Sequence, residues 1–225
     1  MDALGLADFG KDLAALRQRL AAPLPGAETM LAIAPSRRGF VPEAEARGRA
    51  GRLGGALVLV YPIAGRPHTV LTLRSARLRD HAGQVSFPGG RQDPGESLVE
   101  TALREAWEEL AIPAPGLERL GDLTPIYIPP SDYLLYPTLA ATARRPDFRP
   151  QPREVAAIIE APLDHFVGPS NRRVETWLLR GERRRVPHFV VGEHKVWGAT
   201  AMILGELAQI WDEARRPALS PGRPA

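Results

Sequence analysis

The sequence predicts a mixed α/β (α+β) fold, an α/β/α sandwich of helices around a mixed β-sheet. Three observations predict it. Short apolar runs of strand length recur at 56–63, 68–74, 84–87, 133–142, 154–161 and 186–191. One amphipathic helix pattern at 97–110 interrupts them, and another at 199–214 closes the chain. Strands on both sides of a helix, followed by a terminal helix, bury their apolar faces best in layers. A chain of 225 residues is long enough to form that core without staples.

The elements follow in order. Residues 7–20 place Leu13, Leu16 and Leu20 at helical intervals among Lys11, Arg17 and Arg19, and Pro23 and Pro25 stop the helix. Residues 26–52 show no clear period and carry Arg37, Arg38, Arg47, Arg49 and Arg52. They read as an irregular arm with room for one short strand. The expected division is therefore a helix and arm (1–53), a main domain (54–214) and a tail (215–225) that three prolines mark as disordered.

Within the main domain, Ala56 to Ile63 and His68 to Arg74 read as a hairpin across Gly65-Arg66-Pro67. Gln84 to Phe87 is a short strand running into Pro88-Gly89-Gly90. Ser97 with Glu100 has capping-box spacing at the start of the helix, and Pro113 and Pro115 forbid its continuation. Further strands are expected at 117–128, 133–142, 154–161, 175–180 and 186–191, and Trp197 and Thr200 are expected to pack the closing helix on the core.

Composition narrows the function. Hydrophobic residues are 44% and charged residues 24%, as in ordinary globular chains. With 0 Cys, a disulfide framework and a Cys-ligated metal are excluded. The net charge of +3 is too small to argue for a nucleic-acid binder, although the pI is about 9.7. Of 29 basic residues only Lys11 and Lys195 are lysine. That skew fits either contacts to polyphosphate or the codon usage of a GC-rich genome. No apolar run reaches the ~18 residues of a membrane span, and Asp2 and Asp8 disrupt any signal-peptide pattern. The expectation is a cytoplasmic protein with no membrane partner.

Chemistry concentrates on the helix at 97–110. With about 100° per residue, Glu109 lies about 40° to one side of Glu105 and Glu108 about 60° to the other. The three carboxylates thus share a face. Val99, Leu103, Ala106 and Leu110 form an apolar stripe behind them. Like charges at this spacing repel by a few tenths of a kcal/mol per pair, unless a hard divalent cation such as Mg²⁺ or Mn²⁺ sits among them. The bland reading is a solvated acidic face. The loop ahead of the helix adds Gly89 and Gly90, which let backbone approach a ligand, a turn at Asp93-Pro94-Gly95, and Glu96, whose bland role is to offset the helix dipole.

Residues 90–112 resemble the box of the Nudix hydrolases: Gly, five residues, Glu, seven residues, then Arg-Glu-aliphatic-x-Glu-Glu-x-Gly-aliphatic. Gly90, Glu96, Arg104, Glu105, Glu108, Glu109 and Ile112 fall at the matching places. Two positions depart. Ala106 stands where a larger aliphatic is usual, a loss of packing that Trp107 is expected to offset. Ala111 stands where glycine is usual, at a cost of about 1 kcal/mol for a left-handed helix end. The resemblance makes 54–214 a Nudix hydrolase domain and implies hydrolysis of a nucleoside diphosphate linked to another moiety. It implies that Glu105 and Glu109, with Glu108 and the Gly90 backbone, hold Mg²⁺ or Mn²⁺, and that Glu96 pairs with Arg104 in their support. Glu108 and Glu154 are the two candidates for the general base; Glu154 reads equally well as a charged strand cap.

A second motif, residues 71–90, is similar to the signature of the coenzyme A diphosphatase branch of that family. Leu71, Thr72, Arg74, Ser75, Arg79, Gly83, Phe87, Pro88, Gly89 and Gly90 match, and Val70 replaces a leucine. Pro152–Val155, Ala161–Leu163 and Trp197–Ala201 extend the likeness. The implied reaction is hydrolysis of CoA, an acyl-CoA or oxidised CoA to adenosine 3′,5′-bisphosphate and 4′-phosphopantetheine or its derivative. Arg74, Arg77, Arg79 and His81, with the Gly89 backbone, are the candidate contacts to substrate phosphates; their bland role is a solvated strand end. The partner implied is a small molecule, CoA or a CoA derivative, with no nucleic acid; a homodimer stays open.

Three alternatives remain open. One is a Nudix hydrolase of ADP-ribose, a nucleoside diphosphate sugar or a dinucleotide. Another is a non-catalytic nucleotide-binding regulatory module, although no box carboxylate is lost. The third is nucleic-acid binding by the arm at 37–52, which has only Phe40 for base stacking. His81, His165, His188 and His194 have no metal-like spacing.

Overall fold

The structure is a computed structural model and describes residues 3–35, 43–78, 80–179 and 181–216. Arg79, the arm residues Arg37, Arg38 and Phe40, and the tail beyond Arg216 lie outside the described residues, and so do the expectations attached to them.

The chain runs α1 (Ala3–Leu20), α2 (Ala27–Ile33), α3 (Glu43–Arg49), β1 (Arg52–Ile63), β2 (Arg66–Arg74), β3 (Val85–Ser86), β4 (Gly89–Arg91) and α4 (Leu98–Leu110). It continues through β5 (Glu118–Asp122), β6 (Ile126–Ile128), β7 (Tyr133–Ala141), β8 (Val155–Pro162), β9 (Arg172–Leu179), β10 (Glu182–Val191), β11 (His194–Trp197) and α5 (Gly198–Arg215).

β1 organises the molecule. It pairs antiparallel with β2 and β4 and parallel with β7. The eight-stranded sheet has the order β3-β2-β1-β7-β5, with β8 on β2 and β6 on β7. A continuous apolar run suits a strand buried on both faces, and the alternation of β1 sorts its side chains between two cores. Ala56, Val58 and Val60 join Leu204, Leu207 and Trp211 of α5. Leu57, Leu59 and Tyr61 join Ala102, Ala106 and Leu110 of α4. The result is the expected α/β/α sandwich, with α1, α2 and α5 on one face and α4 on the other. β9, β10 and β11 form a separate three-stranded antiparallel sheet.

Several details differ from the sequence reading. The hairpin turns at Ala64-Gly65, both at positive φ (49° and 78°), so Arg66 and Pro67 already belong to β2. That pair of angles matches the twist of the flanking strands. Among its described residues the arm contains helices α2 and α3, and its last residue, Arg52, already opens β1. α2 is set by docking: Ile33 and Met30 are buried in the α5 core, and a Cβ on Gly205 would lie 3.3 Å from Ile33 Cγ2. The stretch 117–128 is two strands, β5 and β6, and β11 was not anticipated. Residues 75–78 and 80–84 form turns and irregular chain, and the short strand expected from Gln84 is Val85–Ser86 alone.

Candidate active site

α4 starts as its sequence dictates. Ser97 Oγ accepts from Glu100 N at 3.2 Å, and Glu100 Oε2 accepts from Ser97 N at 2.7 Å. It ends on Ala111 at φ 56°, ψ 35°, the left-handed conformation that usually takes glycine. The packed face is centred on Ala102, Ala106 and Leu110; Val99 and Leu103 are half-buried. That rotation explains the three carboxylates. Glu109, angularly nearest the packed face, has a side chain 2% exposed; Glu105 follows at 14%, and Glu108 stands out at 52%. Trp107 is 56% exposed and therefore does not fill the space left by Ala106, contrary to expectation.

The Pro88-Gly89-Gly90 segment lies against the helix because β4 is clamped to β1, Gly55 opposite Gly90 and Ala56 opposite Gly89. A Cβ on Gly89 would come within 2.5 Å of the Gly55 carbonyl, and one on Gly90 would overlap the Glu105 carboxylate. Gly55 gives α4 its approach: a Cβ there would lie 2.8 Å from Ala102 N and overlap the Leu98 carbonyl.

Arg104 knits the acidic cluster. Its Nε donates to Glu96 Oε1 at 2.7 Å and its Nη1 to Glu105 Oε1 at 2.9 Å and Glu108 Oε2 at 3.2 Å. Its Nη2 donates to Glu96 Oε2 at 3.2 Å and to the Arg91 carbonyl at 3.0 Å. This network holds the Glu96 carboxyl down at about 2, the Arg104 hydrogen bond being the main cause. Burial pushes Glu105 up, and Arg104 only partly opposes it. Burial pushes Glu109 up to about 8, with Arg74 the main opposing charge. Arg74 Nη1 lies 3.7 Å from Glu109 Oε1, and both Glu109 Oε2 and Arg74 Nε are buried without a hydrogen-bond partner.

A family model described as the NUDIX domain matches residues 52–178, more than half of the chain. The chain belongs to the Nudix family. A Photorhabdus laumondii protein named "Uncharacterized Nudix hydrolase NudL" is 41% identical over 155 residues, covering 68% of this chain and 82% of that protein. A Pectobacterium atrosepticum protein of the same name is 41% identical over 143 residues, covering 63% and 74%. Among solved structures, a MutT/nudix family protein from Enterococcus faecalis superposes with a TM-score of 0.50 at 16% identity, over 72% of this chain and 62% of that one, a likeness of fold alone.

As a Nudix hydrolase the chain acts on a pyrophosphate-containing small molecule, and enzymes of this family generally need a divalent cation such as Mg²⁺ or Mn²⁺. The residues present suit such an ion. A deeply buried carboxylate with one orphaned oxygen, beside a second carboxylate that packs against a bare Gly90, is a hard-oxygen donor set. Among the described residues no three acidic or His side chains yet converge on one point; Arg104 bridges Glu105 and Glu108 instead.

The Nudix box and the upstream motif thus meet through Arg74 and Glu109. Glu154 is half-buried just ahead of β8, and its charge raises both Glu105 and Glu109. Arg77 and His81 are exposed in the turns after β2, His81 at φ 58° with its Nδ1 3.0 Å from Gln84 Oε1, and neither contacts the cluster. Two other histidines have partners away from the cluster: His165 Nε2 lies 2.7 Å from the Val190 carbonyl, and buried His188 has Nδ1 3.2 Å from that of Val186. Thr200 ties α5 to β3 by donating to the Val85 carbonyl at 3.0 Å. A cavity of about 500 Å³ lies elsewhere, between Ile158–Glu160 and Val191–His194. The sequence reading did not single out Tyr133, at the start of β7. The only signal available was the Gly54-Gly55 pair, which announces that something approaches β1 closely. No described helix is long and apolar enough to cross a membrane.

Proposed function

We propose that the chain hydrolyses the diphosphate of coenzyme A, or of an acyl-CoA or oxidised CoA, to adenosine 3′,5′-bisphosphate and 4′-phosphopantetheine or its derivative. The observation that carries this reading is the Arg74–Glu109 contact at 3.7 Å. It joins the stretch similar to the CoA diphosphatase signature to the acidic helix, so that stretch belongs to the reacting centre rather than to a remote surface.

In this reading Glu105, Glu109 and Glu108, with the Gly90 carbonyl, hold Mg²⁺ or Mn²⁺. When bound, the cation neutralises phosphoryl oxygens and lowers the pKa of water. Arg104 and Glu96 keep the glutamates aimed. The Gly89 backbone admits the diphosphate, and Arg74, Arg77, Arg79 and His81 supply donors to phosphate groups. Water adds to one phosphorus, its proton passes to a carboxylate, and the bridging P–O bond breaks. Glu154 is favoured over Glu108 as that base, because Glu108 is already engaged by Arg104. Cytoplasmic residence fits a substrate of this kind.

The test is mass spectrometry of products from CoA, with Mg²⁺ or Mn²⁺, in ¹⁸O-water, beside ADP-ribose and a Glu109→Gln control. Adenosine 3′,5′-bisphosphate from CoA, absent with the variant, is the expected result. Turnover of ADP-ribose without turnover of CoA would move the assignment to another Nudix substrate.

A further inference from the structure

Tyr133 opens β7 opposite Arg52 of β1 in the parallel pair. Its ring is half-buried. Its hydroxyl lies over Gly54: a Cβ on that residue would overlap both the Tyr133 hydroxyl oxygen and the Gly90 carbonyl oxygen. The bare Gly54 therefore makes room for the phenol beside the Gly90 backbone. Charges of Glu105, Arg52, Arg74 and Arg91 all act on it, and it makes no hydrogen bond among the described residues.

We infer that Tyr133 is a substrate contact, its hydroxyl donating to a non-bridging oxygen of the bound diphosphate. The chemistry of the neighbours favours this. Arg104 spends its donors on Glu96, Glu105, Glu108 and the Arg91 carbonyl. A diphosphate brings several acceptor oxygens to the same place. The Tyr133 O–H is an uncommitted donor there, and being neutral it is not drawn into the glutamate network. Arg52 and Arg91, exposed on the same side, add positive potential toward the anion.

The inference rests on the hydrolase reading but not on the choice of CoA, so its test uses a probe without adenosine or pantetheine. Imidodiphosphate with saturating Mg²⁺ is titrated calorimetrically into the full chain, Tyr133→Phe and Tyr136→Phe. Tyr136 is the control, since its hydroxyl bonds Glu43 at 3.1 Å. The expected result is affinity about tenfold weaker in Tyr133→Phe, with unchanged melting temperature, unchanged Mg²⁺ half-saturation, and no effect of Tyr136→Phe. Equal affinity in Tyr133→Phe would overturn the inference, as would no binding to the unsubstituted chain. A shifted Mg²⁺ half-saturation with intact diphosphate affinity would also overturn it, since the phenol would then act through Gly90. Failure of CoA turnover, with the imidodiphosphate result as expected, would count against the choice of CoA alone.

Discussion

Arg74 Nη1 stands 3.7 Å from Glu109 Oε1, at the end of β2, with the glutamate side chain 2% exposed and the arginine 23%. One orphaned oxygen on Glu109 and an orphaned Nε on Arg74 mark the pair as incomplete. Buried polar atoms left without partners weaken a fold unless something else binds them. The site is therefore expected to trade stability for readiness.

Glu109 makes that trade measurable. Its carboxyl is raised from 4.5 to about 8, so the folded chain retains a proton that the unfolded chain releases. The stability this proton confers is fully present below about 4.5 and is lost as pH rises through about 8. Glu105 is shifted in the same sense. In the cation-free chain, the melting temperature should fall over that window, and Glu109→Gln should flatten part of the fall while abolishing hydrolysis. Calorimetry across pH checks it; parallel curves for the two proteins would refute it.

Magnesium should act most where the carboxylates are ionised. A divalent cation bound only by the folded state raises stability by mass action, and ligand deprotonation makes its affinity grow with pH. The melting temperature gained on adding millimolar Mg²⁺ should therefore be larger at pH 8 than at pH 6, and Glu109→Gln should lose most of the gain.

Two glycines should separate folding from chemistry. A methyl on Gly55 meets the helix backbone at Leu98 and Ala102, which cannot yield. Gly55→Ala should cost about 1–3 kcal/mol in denaturant unfolding. A methyl on Gly90 meets first the Glu105 carboxylate, the end of a side chain that can swing. Gly90→Ala should keep most of the stability yet lower kcat by about 10²-fold, because a displacement of about 1 Å in a reacting group has that effect. The reverse ranking would disprove the assignment of Gly90 to the site.

Ala111 closes α4 in a conformation that suits glycine. Ala111→Gly should stabilise the chain by about 1 kcal/mol without changing kcat. Thermal unfolding would show it as a rise of a few degrees.

Much of this was legible in the sequence because it is local. Helix α4, its capping box and the shared carboxylate face follow from residue spacing along one element, while its left-handed end at Ala111 was expected from the likeness to the Nudix box. The apolar run of β1 already had strand length, and its two-sided cover by α4 and α5 came from the structure. The arm was not legible in that way: α2 has only 7 residues, too few to hold a helix alone, and it exists through Ile33 and Met30 against α5. The same limit hid β11, whose four residues are held by pairing with β10.

Within the site, the sequence by itself determined which carboxylates the helix presents, because angular spacing is a property of the helix. Only the tertiary structure decided how deeply each is buried, since that depends on where β1 and Gly55 set the helix down. It also decided that Arg74 faces Glu109 and that Tyr133 lies over Gly54. Those contacts join residues that are neighbours only across the sheet, and no spacing along the chain encodes them.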